Sequence, residues 1–129
     1  MSNNRYNNFT AEELACDCGC GGGEDDMDSG FMAKVIAMRF EAGFAFPVTS
    51  GYRCPEYNAK ASKSGTTGPH TTGKALDIAV DRKRAAILIR LAYAYGITAV
   101  GVSQQGAKRF LHIDTVDRGK DLTPTVWSY

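Results

Sequence analysis

The strongest constraint on this chain is a pair of short stretches in which ionisable side chains alternate with aliphatic ones: Ala75-Leu76-Asp77-Ile78-Ala79-Val80 and Phe110-Leu111-His112-Ile113-Asp114. Successive side chains of a strand point to opposite faces. Leu76, Ile78, Leu111 and Ile113 can therefore be buried on one face while Asp77, His112 and Asp114 line the other. The chain has two histidines, and the other one, His70, lies seven positions before Asp77 across a Thr-Thr-Gly turn. If the two strands are neighbours, Asp77 and His112 converge, and the turn can bring His70 to the same point. Two imidazoles and one carboxylate leave an open position on a tetrahedral ion, the pattern of a catalytic rather than a structural zinc. The H-E-x-x-H helix of the zincins is absent, so a site here belongs to another class.

Length and composition set the frame for that site. At 129 residues the chain forms one domain, residues 1–129, with room for a single core. A hydrophobic content of 43% and a charged content of 22% are ordinary for a globular protein. A net charge of +1 gives no reason to expect nucleic acid or an anionic membrane as partner. No apolar run approaches the roughly 20 residues that span a bilayer, so membrane insertion is not expected. The first eight residues lack the apolar segment of a secretory signal. The expectation is a monomer made in the cytoplasm, with any export by another route.

Four cysteines, Cys16, Cys18, Cys20 and Cys54, are an even number, but three are crowded into Cys16-Asp17-Cys18-Gly19-Cys20. With one residue between neighbouring cysteines, the run departs from the usual C-x₂₋₄-C knuckle of a structural zinc. Free thiols, or one disulfide near a loop, are expected ahead of a structural metal, and reduced thiols are the default without a signal peptide. A cysteine knuckle for nucleic acid is disfavoured by the same spacing and by the near-neutral charge.

Along the chain, residues 1–8 read as a mobile arm. Thr10-Ala11-Glu12-Glu13-Leu14 matches a capping box that starts a short helix. The acidic run Glu24-Asp25-Asp26-x-Asp28 lacks EF-hand spacing and reads as a solvated loop. Phe31 to about Ala42 has helical periodicity, with Ser29 as N-cap and Gly43 at C′. A short strand follows over 46–50. Pro55 then suits the first position of a short helix, and 62–72 is a polar loop. A strand over 75–80 leads to a helix over 82–95 capped by Asp81 and closed by Gly96. Strands over 97–102 and 109–115 form a hairpin. The tail is too apolar to be free, and Trp127 is expected to pack back on the domain. The result is an α+β fold, a small and mainly antiparallel sheet with helices packed on one side.

The ordered blocks Ser50-Gly51-Tyr52-Arg53, His70 with Gly73-Lys74-Ala75-x-Asp77-Ile78, Phe110-x-His112-x-Asp114, and Trp127 resemble the M15 family of zinc peptidases. The likeness runs from about Phe9 to Trp127 and is strongest to the compact D-alanyl-D-alanine carboxypeptidase-like branch of bacteria and phages. It implies the hedgehog-type zinc peptidase fold, one Zn²⁺ per chain held by His70, Asp77 and His112, and peptidoglycan stem peptides as substrate. It also implies action on the cell wall, in phage lysis after release, as a virion component, or in wall remodelling. Arg53 would offer a guanidinium fork to a substrate carboxylate or to a developing oxyanion, with Ser50 and Tyr52 holding that loop or lining the pocket. Several relatives carry an acid three positions before the last histidine ligand, where this chain has Arg109. Asp114 is thus left three roles: general base, a partner orienting a ligand, or a structural acid. A second reading follows from Arg109, a zinc-holding relative without turnover that acts as a peptidoglycan-binding or structural protein.

Overall fold

A computed structural model describes residues 5–129. Its centre is a five-stranded sheet of β1 (Val48–Ser50), β2 (Ala75–Ile78), β3 (Ala99–Ser103), β4 (Phe110–Asp114) and β5 (Thr125–Ser128). The strand order is β1-β2-β4-β3-β5. Every pairing is antiparallel except β3 with β5, which is parallel. The expected β3–β4 hairpin is present. The tail does pack back, but as a strand that the sequence reading did not assign. Its parallel pairing needs no local turn signal, so it leaves none to read.

Cross-strand pairing sorts the side chains as the alternation requires. Leu76 faces Ile113, and Ile78 faces Leu111. With Val100 these residues are fully buried against α2 (Ser29–Ala42) and α4 (Arg82–Ala94). Phe31, Met32, Val35 and Met38 of α2, and Ala85, Leu88, Leu91 and Ala92 of α4, fill the other half of this core. Burying one such aliphatic or aromatic side chain contributes about 1.5–3 kcal/mol, so this layer sets the register of the sheet. A slip of one residue would turn Asp77 and His112 into the core.

Helix ends largely follow the sequence signals. Thr10 caps α1 (Ala11–Leu14) in a capping box with Glu13. The N-cap of α2 is Asp28 rather than Ser29, because the Asp28 carboxylate accepts from the Phe31 N–H at 2.8 Å while Ser29 is already helical. Gly43 closes α2 in the left-handed region, as expected. Asp81 stands at the N-cap of α4 without a side-chain capping bond. α3 (Pro55–Ala61) starts on Pro55. It lies with the short 3₁₀ turns Gly65–Thr67 and Pro69–Thr72 rather than with the two long helices. The polar loop of 62–72 is thus partly ordered into turns.

The arm expected over residues 1–8 is only partly within the described residues. Tyr6 is buried, its hydroxyl donates to the Met27 carbonyl, and Arg5 pairs with Asp25 at 2.7 Å. The acidic loop thus anchors the lead-in segment. Among the described residues no helix is long and apolar enough to cross a membrane.

Candidate metal centre

The polar face of the sheet carries one continuous row. Ser50 pairs with Asp77, Asp77 with His112, His112 with Gly101, and Gly101 with Trp127. Gly101 is a clearance position: a Cβ there would meet the Trp127 indole Nε1 at 2.5 Å. Only glycine lets the indole pass this close to β3 beside His112, whose ring centroid is 5.2 Å away. His70 reaches the row from the Pro69–Thr72 turn, which ends on Gly73 at φ 73°. That left-handed residue turns the chain directly into β2.

Three ligand atoms converge. His112 Nδ1 lies 3.0 Å and His70 Nε2 3.3 Å from Asp77 Oδ1. The donor chemistry limits what the cluster can hold. His70 Nδ1 is 2.7 Å from the Gly51 carbonyl oxygen, which can only accept, so Nδ1 carries the proton and Nε2 keeps its lone pair. That lone pair faces a carboxylate oxygen. Two acceptors so placed need a proton or a cation between them. At His112, Asp77 stands at Nδ1 and Asp114 at Nε2, 2.6 Å away. Burial works against a charged His112 ring, yet the hydrogen bonds to Asp114 and Asp77 outweigh it and raise its pKa. Burial likewise opposes the Asp77 carboxylate, but hydrogen bonds from His112 and His70 hold its pKa well below the usual carboxylate range. An anion facing two imidazole nitrogens with a common focus fits a divalent ion of the zinc class.

Asp114 sits on the opposite side of the imidazole from Asp77 and is fully buried. Arg118 grips it through two bonds of 2.8 Å, and the Val116 N–H donates to it at 3.0 Å. Burial opposes its charge, but the bonds from Arg118 and His112 prevail and lower its pKa. Of the three roles left open for Asp114, this geometry fits the orienting one. Nε2–H of His112 is directed at Asp114, which leaves Nδ1 for an ion.

A cavity of about 350 Å³ opens over the cluster, lined among others by Arg53, His70, Asp77, His112, Trp127 and Tyr129. Arg53 is largely buried, its guanidinium 3.9 Å from Asp77 Oδ2 and 3.4 Å from Asn58 Oδ1. Ser50 and Tyr52 do not line this cavity. Ser50 lies behind Asp77 in the row, while the Tyr52 ring turns towards Gly22 and its backbone N–H donates to the Leu14 carbonyl. Tyr52 holds the loop. Arg109 bonds the Gly106 carbonyl and lies outside the cavity.

Three contributors escaped the sequence reading. Arg118 secures Asp114 and stacks on Trp127, its Cζ 5.3 Å from the ring centroid. Gly51 selects the His70 tautomer through its carbonyl. Asn58, buried in α3, joins Arg53 to Ser64 at 2.9 Å. None of them is announced by periodicity or by a spacing rule.

No curated protein matches the chain significantly. The profile of the family described as Peptidase M15 matches residues 7–114. That span includes α1, α2, α3, α4, β1, β2, β3 and β4, and with them His70, Asp77, His112 and Arg53. It covers well over half of the sequence, and on this basis the chain belongs to the peptidase M15 family.

Proposed function

We propose that the protein is a zinc-dependent peptidase that hydrolyses a peptide bond in peptidoglycan stem peptides, as a carboxypeptidase or an endopeptidase. The observation that carries this reading is the convergence of His70 Nε2, His112 Nδ1 and Asp77 Oδ1 beneath a cavity whose wall holds Arg53. His70, Asp77 and His112 would hold one zinc ion, which supplies Lewis acidity towards a carbonyl and lowers the pKa of water. The remaining chemistry falls to the chain's own side chains. Arg53, tethered by Asn58, presents a guanidinium that binds a stem-peptide carboxylate or steadies negative charge on the scissile carbonyl. Asp114 is a positioning residue that fixes the His112 ring, and Arg118 in turn fixes Asp114. Trp127, Phe110 and Tyr129 form an aromatic wall that excludes water from one side of the cleft. Action would be on the cell wall, in phage lysis or wall remodelling, by a monomer.

A specific observation favours a second reading. Among the residues lining the cavity the only side-chain carboxylate is that of Asp77, so no separate acidic side chain stands ready as general base. A zinc-holding relative that binds wall peptides without turnover would need none. Purified protein with zinc, given monomeric and cross-linked muropeptides, decides between the two. New amine termini, lost in EDTA and restored by Zn²⁺, support the enzyme. Binding without any new termini supports the second reading.

A further inference from the structure

The molecule has a second cluster of ligand-type side chains, made of residues other than those of the row described above. The sulfurs of Cys16, Cys18, Cys20 and Cys54 all lie within 4.8 Å of one another. Cys16 Sγ is 3.4 Å from Cys18 Sγ, and Cys18 Sγ is 3.6 Å from Cys54 Sγ. These separations are far too long for a disulfide, whose sulfurs stand about 2.05 Å apart. They approach the roughly 3.8 Å that four sulfurs at about 2.3 Å from one tetrahedral zinc must adopt. Three of the four come from a single five-residue loop, and Cys54 joins them from 34 positions beyond Cys20.

The backbone is arranged to suit thiolates. The N–H of Cys54 donates to Cys16 Sγ at 3.3 Å, that of Gly22 to Cys20 Sγ at 3.4 Å, and that of Tyr57 to Cys54 Sγ at 3.4 Å. Three sulfurs thus accept amide donors, an environment that favours negative charge on sulfur. Cys18 and Cys20 are exposed, so an ion can enter from solvent.

We infer that Cys16, Cys18, Cys20 and Cys54 form a second metal site, a closed tetrahedral thiolate site for zinc. Four sulfur ligands leave no open position, so the ion is structural. It ties the Cys16–Cys20 loop to the segment that carries the functional groups. Cys54 directly follows Arg53, the Tyr52 N–H bonds Leu14 just before the cysteine loop, and the Gly51 carbonyl sets the His70 tautomer. The irregular C-x-C-x-C spacing is no obstacle. The fourth ligand arrives through the fold, and the loop bends back on itself, with the Cys16 N–H donating to the Gly22 carbonyl at 2.9 Å.

The experiment is metal analysis of the full chain purified under reducing conditions with zinc supplied. Wild type is expected to hold two zinc ions per chain. The His112→Ala variant should hold one, and so should the Cys18→Ser/Cys20→Ser double variant. With cobalt in place of zinc, His112→Ala should show strong near-ultraviolet thiolate-to-cobalt charge transfer, which the double variant lacks. Should the double variant fail to fold, His112→Ala alone decides, because its single ion either gives the thiolate band or does not. An ion-free His112→Ala protein, or a mass showing a disulfide among these cysteines, overturns the site. Iron instead of zinc in that variant overturns the choice of metal. None of these readouts depends on peptidase activity, so the cysteine site and the proposed function can fail separately.

Discussion

The two ligand clusters of this protein are built by opposite means. His112 and Asp77 stand on paired strands, and their positions follow from side-chain alternation together with a core that pins the register. The four cysteines stand on a glycine-rich loop and at the N-cap of a short helix, and only a long-range contact brings Cys54 to the three of the loop. The first cluster is buried, roofed by a cavity and backed by Asp114 and Arg118. The second lies near the surface and has only amide donors behind it. A site on regular elements inherits its geometry from the core, whereas a site on loops must supply its own.

The largest effect expected from any single change tests whether the clusters are independent. His112→Ala removes one ligand and leaves Asp114 still paired with Arg118, so the fold should survive. Peptidase turnover on muropeptides should fall to background. The Cys16–Cys54 region should keep its solvent protection in hydrogen exchange. Loss of protection there would show that the two clusters are coupled through the 50–54 segment.

The difference in construction also explains what the sequence disclosed. Asp77 and His112 were legible as neighbours because a period of two puts them on one face of paired strands, whereas His70 entered only through the turn between it and Asp77. The hairpin, the capping box at Thr10 and the Pro55 helix start were legible because each has a local chemical signature. The parallel strand β5 was not, since its partner β3 is more than twenty residues away in sequence and no turn marks the pairing. Arg118 and Asn58 look like ordinary polar residues until the fold sets one on Asp114 and the other on Arg53. The orienting role proposed for Asp114 rests on which imidazole nitrogen it meets, a fact that spacing cannot contain.

Next in size is the support behind the sheet cluster. Arg118→Ala would strand a fully buried carboxylate whose other partners are His112 and one backbone N–H. Breaking such a pair from one side costs about 3–5 kcal/mol, to be read as a lower urea midpoint. Asp114→Asn keeps the size and one acceptor oxygen but loses the charge. Zinc affinity of the histidine site should drop by roughly 10–100-fold, measured by competition with a chelator. An unchanged affinity would make Asp114 a purely structural acid.

A smaller effect is expected at the floor of the row. Gly101→Ala puts a methyl group where the Trp127 indole lies, and the indole must lift or β5 must shift. Overpacking of this kind costs about 1–3 kcal/mol. Trp127 is the only tryptophan, so its fluorescence reports the displacement directly. The cysteine cluster, on the opposite flank of the sheet from β5, should not respond.

The smallest expected effect lies at the entrance to the cysteine loop. Thr10 accepts from the Glu13 N–H at 3.1 Å, and Glu13 Oε1 accepts from the Thr10 N–H at 3.0 Å. The second Glu13 oxygen accepts from the Val48 N–H, also at 3.1 Å, and so fastens α1 to β1. Thr10→Ala removes only the cap, at a cost of about 1 kcal/mol. Glu13→Ala removes the cap's return bond and the link to β1 together, and should cost more. If the two variants are equally stable in urea, the Val48 bond contributes nothing measurable, and α1 is held by the burial of Leu14 and by the bond from the Tyr52 N–H to its carbonyl. If Glu13→Ala is the weaker, one carboxylate both ends the lead-in segment and fixes the strand that runs into Arg53 and Cys54. The loop-built cluster would then borrow its rigidity from the same sheet that builds the other.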